Sequence, residues 1–144
     1  VRAKVGLRPN VMVVSAKGFA ALAEHPKILE RFKYTSSDSI TAEMLARLFN
    51  LRRVAVGDAV YMEEGSTTMT DVWGNNAVLA YVPPQISSRR QPSYGYTYTL
   101  NGHPITEEPY NERNQKSWIY PVTCERAPVL SGIDSGYLIQ NLTQ

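Results

Sequence analysis

The residues best placed to do chemistry are an arginine pair, Arg89 and Arg90, followed by tyrosines at 94, 96 and 98. A period of two sets Tyr94, Tyr96 and Tyr98 on one face of a strand. Rings in a row can stack on unpaired bases while guanidinium groups meet phosphates, so the cluster has the parts of a single-stranded nucleic-acid-binding module. No RNP-type motif accompanies the tyrosines, and the basic charge is not concentrated elsewhere. An aromatic stripe that fills a core or an interface is the plainer reading.

Other reactive side chains are isolated. His25 and His103 each stand directly before a proline, with no Cys, Asp or Glu at ligand spacing, so both are expected to be turn histidines rather than metal ligands or general bases. Cys124 falls on the apolar face of a strand and is expected to be a buried, inert thiol. The pairs Glu63–Glu64 and Glu107–Glu108 read as solvated loops, because neighbours on a strand face opposite ways. The chain has no phosphate-binding glycine loop, nucleophile elbow or zinc-binding His-Glu-x-x-His helix. No catalytic residue, metal or cofactor is expected.

The totals fit one ordinary globular chain. Its 144 residues suffice for a real core, and 43% hydrophobic against 19% charged residues is too apolar for disorder. Fifteen Lys and Arg against thirteen Asp and Glu leave a net charge of +2, too little to signal a polyanion partner. A single cysteine allows no internal disulfide. With no apolar run near the ~18 residues of a membrane span and no leader pattern, the chain is expected to be soluble and cytoplasmic when made, with no membrane partner. It opens without methionine on Val1 and Arg2, which reads as the interior of a longer protein.

Stepping along the chain, residues 10–15 predict a β-branched strand, and Ser15 caps a helix with Phe19, Leu22 and Ala23 at helical spacing. Pro26 starts a second helix with Ile28, Leu29 and Phe32 on one face. A polar loop over residues 34–39 follows. Thr41 caps a third helix, with Ile40 set to staple onto Leu45, Met44, Leu48 and Phe49 along the same side, and Asn50 as its stop. Strands are predicted over 53–56 and 59–62. The central strand lies within 72–84, where Ala77, Val78, Leu79, Ala80, Tyr81 and Val82 run without interruption, as in a strand covered on both faces, until Pro83 and Pro84 end it. Beyond residue 84 no helix is predicted. Residues 93–100 alternate as a strand, Asn101–Gly102 predicts a hairpin returning through residues 103–106, and residues 116–124 place Trp118, Tyr120 and Val122 on one face with Pro121 as a bulge. Residues 136–139 form a last strand. The architecture is α+β: short helices packed on a mixed β-sheet over residues 1–84, then a β-rich extension over 85–144.

The central stretch 72–84, with residues 53–61 before it and 116–120 after it, resembles in order and wording the C-terminal portion of the major capsid proteins of tailed bacteriophages and prophages, which have the Hong Kong 97 type fold. The likeness runs from about Asn10 to Leu142 and rests on a string of fold-determining segments. It implies an axial-domain-like part over 1–84, and over 85–144 the returning strands of a peripheral domain. It further implies a structural, non-enzymatic subunit of an icosahedral shell that self-assembles around packaged DNA. Its partners would be other copies in capsomers, with scaffold, decoration or portal proteins besides, and no sequence-specific nucleic acid. Its place would be the virion capsid, and before assembly the host cytoplasm. On this reading Arg89 and Arg90 are expected to face Glu107, Glu108 or Glu112 of an adjacent copy, since opposite charges select register more than they add affinity.

Overall fold

The computed structural model describes residues 1–33, 39–86, 88 and 90–143, and the chain divides into two units: Val1–Tyr94 with Gly132–Gln144, and Gly95–Ser131. The chain begins with α1 (Arg2–Val5), a single turn, then β1 (Val11–Ser15), α2 (Ala16–Ala23), α3 (Pro26–Phe32) and α4 (Ala42–Leu48). β2 (Arg53–Gly57), the paired β3 (Val60–Tyr61) and β4 (Thr70–Asp71), and β5 (Asn76–Ala80) follow. Six short strands come next: β6 (Gly95–Thr99), β7 (Ile105–Thr106), β8 (Tyr110–Glu112), β9 (Ser117–Ile119), β10 (Val122–Thr123) and β11 (Arg126–Leu130). A 3-10 turn over Ile133–Ser135 leads into β12 (Gly136–Gln140).

Local chemistry fixes the helix ends. The Ser15 hydroxyl accepts from the Gly18 N–H at 3.1 Å and the Thr41 hydroxyl from the Met44 N–H at 3.3 Å, each satisfying an amide that the first turn leaves open. At α3 the cap is His25, whose Nδ1 accepts from the Lys27 N–H at 3.2 Å, with Pro26 at the first helical position. Asn50, at φ 54°, ends α4. The Leu51 N–H returns to the Ala46 carbonyl at 2.8 Å and the Asn50 N–H to that of Arg47 at 3.2 Å, the two bonds of a Schellman stop.

The main sheet has the order β12-β5-β1-β2, with β1 parallel to β2 and the other pairs antiparallel, a mixed sheet as expected. Its register puts Met12, Val14, Val54, Ala77 and Ile139 on one face. The helices lay Ile28, Leu45 and Ala46 against that face, and Leu45 and Val14 are wholly buried. On the opposite face two large rings need bare backbone beneath them. A Cβ at Gly57 would run into Trp73, and one at Gly136 into Tyr94.

Side-chain and backbone bonds extend the sheet where β5 stops. Asn10 brackets Val82, its Oδ1 accepting from the Val82 N–H at 2.9 Å and its Nδ2 donating to the Val82 carbonyl at 2.7 Å. A chain of backbone bonds then ties four segments: Tyr81 N–H to Ser135 O (2.9 Å), Tyr94 N–H to Tyr81 O (3.0 Å) and Gly132 N–H to Tyr94 O (3.2 Å). The points where the chain leaves and re-enters the first unit are thereby joined.

Several expectations need correction. The central strand stops at Ala80, three residues before Pro83, because Tyr81 and Val82 take partners outside the ladder. The chain does not divide at residue 84: β12 pairs along the whole of β5, which returns the C-terminal segment to the first unit. Leu29, expected on the buried face of α3, is 49% exposed. Neither α1 nor the 3-10 turn was expected; each is a single turn, too short to leave a periodic signal. The loop expected over 34–39 lies, for residues 34–38, outside the described residues.

Replacing Leu45 by Ala should cost about 3 kcal/mol, since it empties a fully buried large side chain at the centre of the core. Ser15→Ala should cost about 1 kcal/mol through the lost cap. Urea unfolding of the two variants checks both, and the order of the two effects is the sharper test.

Candidate subunit interface

The second unit is one antiparallel excursion and return. β6 pairs with β11, β7 with β10 and β8 with β9, so three two-stranded ladders nest inside one another. Prolines divide the ladders: Pro104 and Pro109 flank β7, and Pro121 separates β9 from β10. Each lacks the N–H that would continue pairing. The Asn101–Gly102 turn is present, with Gly102 at φ 86° and the His103 N–H bonded to Leu100 O at 3.1 Å. It does not close the hairpin expected from the sequence. Pro104 follows at once, and β6 finds its partner at β11 instead.

No residue between 95 and 131 is buried. Large apolar side chains stand in the open: Trp118 is 61% exposed, Tyr120 71% and Val122 63%. The alternating face predicted for residues 116–124 is therefore turned to solvent, interrupted at Pro121. An isolated two-stranded ladder is marginal in water, and nested ladders without a covered face gain little apolar burial to offset their ordering. Such a surface is a candidate contact site.

The tyrosine stripe is shorter than the sequence suggested. Tyr96 and Tyr98 share a face of β6 with ring centroids 6.3 Å apart at 45°, a tilted aromatic pair. Tyr94 precedes the strand and belongs to the first unit, its ring over Gly136. Of the arginine pair, Arg89 lies outside the described residues; Arg90 is exposed and its N–H donates to the Ser88 hydroxyl at 3.2 Å. Glu107 accepts from the Thr123 hydroxyl at 2.8 Å, Glu108 is exposed and Glu112 is half-buried on β8. Among the described residues none of these charged groups enters an ion pair.

Among the described residues no three His, Cys, Asp or Glu side chains converge. The His103 Nδ1 accepts from the Glu125 N–H at 3.2 Å, which occupies it structurally. Glu63, Glu64, Glu107 and Glu108 are all exposed. Cys124, expected to be buried, is exposed, because it falls in the gap between β10 and β11 rather than inside a ladder. An apolar groove of about 490 Å³ in the first unit, lined by Met12, Phe49, Leu79 and Ile139, has only Arg8 and Asn50 as polar neighbours and no acid–base pair. Among the described residues no helix is long and apolar enough to cross a membrane.

No family model matches the chain. The major capsid protein of Burkholderia phage BcepMu is 36% identical over 146 residues, a match that takes in 99% of the chain and 47% of that protein. The crystal structure of a phage-related protein from Bordetella bronchiseptica RB50 is similar with a TM-score of 0.89 at 40% identity, over 98% of the chain and 47% of its own. The chain thus spans about half the length of the proteins it matches.

Because Cys124 is open to solvent, one thiol should react with a disulfide reagent in native buffer as fast as in denaturant, where a buried thiol would wait for unfolding. The double change Trp118→Ser, Tyr120→Ser should shift the unfolding free energy by less than about 0.5 kcal/mol while lowering the binding of an apolar dye.

Proposed function

We propose that the chain is part of a structural subunit of a phage or prophage icosahedral shell, closing around packaged DNA by many repeated contacts with copies of itself. The observation that carries this reading is the unit 95–131, whose apolar side chains have no cover of their own. A free-standing protein gains nothing from such a surface, whereas a subunit hemmed by neighbours buries it on assembly. Similarity to the BcepMu major capsid protein along nearly the whole chain supports it.

In finer terms, the chain is the C-terminal portion of a subunit with the Hong Kong 97 type fold. Its first unit takes the part of the axial domain and the ribbon 95–131 that of the peripheral domain. The role is structural, with no catalysis and no cofactor. Scaffold, decoration and portal proteins are the further partners such a shell meets, and the host cytoplasm is where the subunit stays before assembly. Arg89 and Arg90 face Glu107, Glu108 or Glu112 of an adjacent copy. Exposure of Arg90 and Glu108 without ion pairs among the described residues supports this last point.

The rival reading, a single-stranded nucleic-acid module, would need the three tyrosines as one platform, and Tyr94 is occupied over Gly136. The full-length protein, expressed with its neighbouring genes and viewed by negative-stain microscopy, should form rings, tubes or closed shells. Binding of the chain to single-stranded DNA should be weak and should not fall steeply with salt. A monodisperse protein with strongly salt-dependent DNA binding would overturn the shell reading. Reversing Arg89 and Arg90 to Glu in the full-length protein should abolish shells without changing the melting temperature, and normal shells from that variant would remove the arginine pair from the interface.

A further inference from the structure

Within the first unit, acidic and basic surfaces are separated along one strand. From Val54 to residue 88 the chain contains no Lys or Arg, while Asp58, Glu63, Glu64 and Asp71 all fall there. This segment holds the hairpin of β3 and β4, and its apolar residues are open: Val60 is 53% exposed, Met62 54% and Met69 64%. Asp71 is tied to Lys17 of α2 at 3.2 Å, which leaves Asp58, Glu63 and Glu64 exposed and without ion pairs among the described residues. The hairpin therefore offers an exposed surface of apolar residues, flexible methionines and carboxylates.

At the other end of β2 is a recess of about 600 Å³ between α4 and the strand, lined by Ala46, Arg47, Leu51, Arg52 and Arg53, with Glu43 as its one acid. None of the three arginines is in an ion pair among the described residues, and all three are exposed. Three cations against one carboxylate, over an apolar floor of Ala46 and Leu51, form the complement of the hairpin in both sign and composition.

Among the described residues no ion pair joins the two surfaces within the chain. Arg53 is the first residue of β2 and Gly57 the last, so the strand sets the recess and the start of the hairpin ~13 Å apart, at its opposite ends. We propose that the hairpin 58–72 of one copy docks into the arginine recess of a second copy. The contact is heterologous: each copy gives its hairpin to one neighbour and takes one from the other, so repetition builds a ring when the rotation closes. The occupant of the recess is thus another copy of this chain. This rests on the shell-subunit reading and adds to it which surfaces meet and in what sense.

The test uses the full-length protein and three variants: Glu63→Lys with Glu64→Lys, Arg52→Glu with Arg53→Glu, and all four together. Each reversal alone should cut the yield of rings or shells by at least about tenfold, since like charges at a contact cost more than the 1.4 kcal/mol that corresponds to that factor. The four-fold variant should recover assembly to within about twofold of the parent, because the pairing is restored with the signs exchanged. An equal mixture of the two single-surface variants should also assemble, and only into rings of even copy number, since the two kinds must alternate. Recovery in the mixture does not depend on the four-fold variant folding. Reversed variants that assemble like the parent, or folded reversals that neither the mixture nor the exchange rescues, would overturn the hairpin contact and leave the shell reading intact. A parent protein that forms no assembly would overturn both.

Discussion

The structure depends on a knot of backbone hydrogen bonds where the chain leaves the sheet and comes back. Ser135 accepts from Tyr81, Tyr81 from Tyr94, and Tyr94 from Gly132. Ser93 and Ser135 are buried there, and the Ser135 hydroxyl donates to the Gly132 carbonyl at 2.6 Å, so the polar groups that the crossing buries are spoken for. The β6–β11 ladder already sets Gly95 opposite Leu130, and the clasp carries that closure on to Tyr94 and Gly132, just before β12 takes up its register against β5.

The two units are held together by different means. In the first, a mixed sheet and three short helices share a core around Leu45 and Val14, with caps and a Schellman stop setting the helix lengths so that each apolar stripe meets the sheet. In the second, order comes from ladder hydrogen bonds, with the Tyr96–Tyr98 ring pair and the bonds of Thr123 to Glu107 and Glu125 to His103 beside them, and the prolines that cut the ladders keep any one edge short. Short, interrupted edges are how β-proteins avoid open-ended pairing. Apolar side chains beside such edges favour contact through side chains over strand addition.

Much of the first unit was legible because its signals are local. Ser15, Pro26, Thr41 and Asn50 each mark a helix end through a bond or dihedral within a few residues of itself. The mixed α+β class followed from helix periodicity switching to strand-like runs. What the sequence withheld is long-range. Residues 136–139 read as a strand, but nothing local says that β5, more than fifty residues earlier, is its partner. The side-chain bracket of Asn10 on Val82, 72 residues apart, left no trace either. Asn101–Gly102 signalled a turn correctly and a hairpin wrongly, since Pro104 removes the donor that the return strand needed. Cys124 was misplaced for a related reason: alternation continued through a point where the ladder does not. Of the candidate interface, the arginine and tyrosine cluster was visible as composition, whereas the exposure of the ribbon's apolar side chains could be seen only once strand partners were known.

The nesting of the ladders has a consequence for length. Residues added to the outward limb of the ribbon and matched on the return limb extend the tip while leaving the register at the base untouched. Each matched residue moves the tip by about 3.3 Å, and additions in twos, about 7 Å, also keep every side chain on its original face. Because Tyr94 and Gly132 are already joined by the clasp, the length of the ribbon can change in discrete steps while the sheet keeps its register.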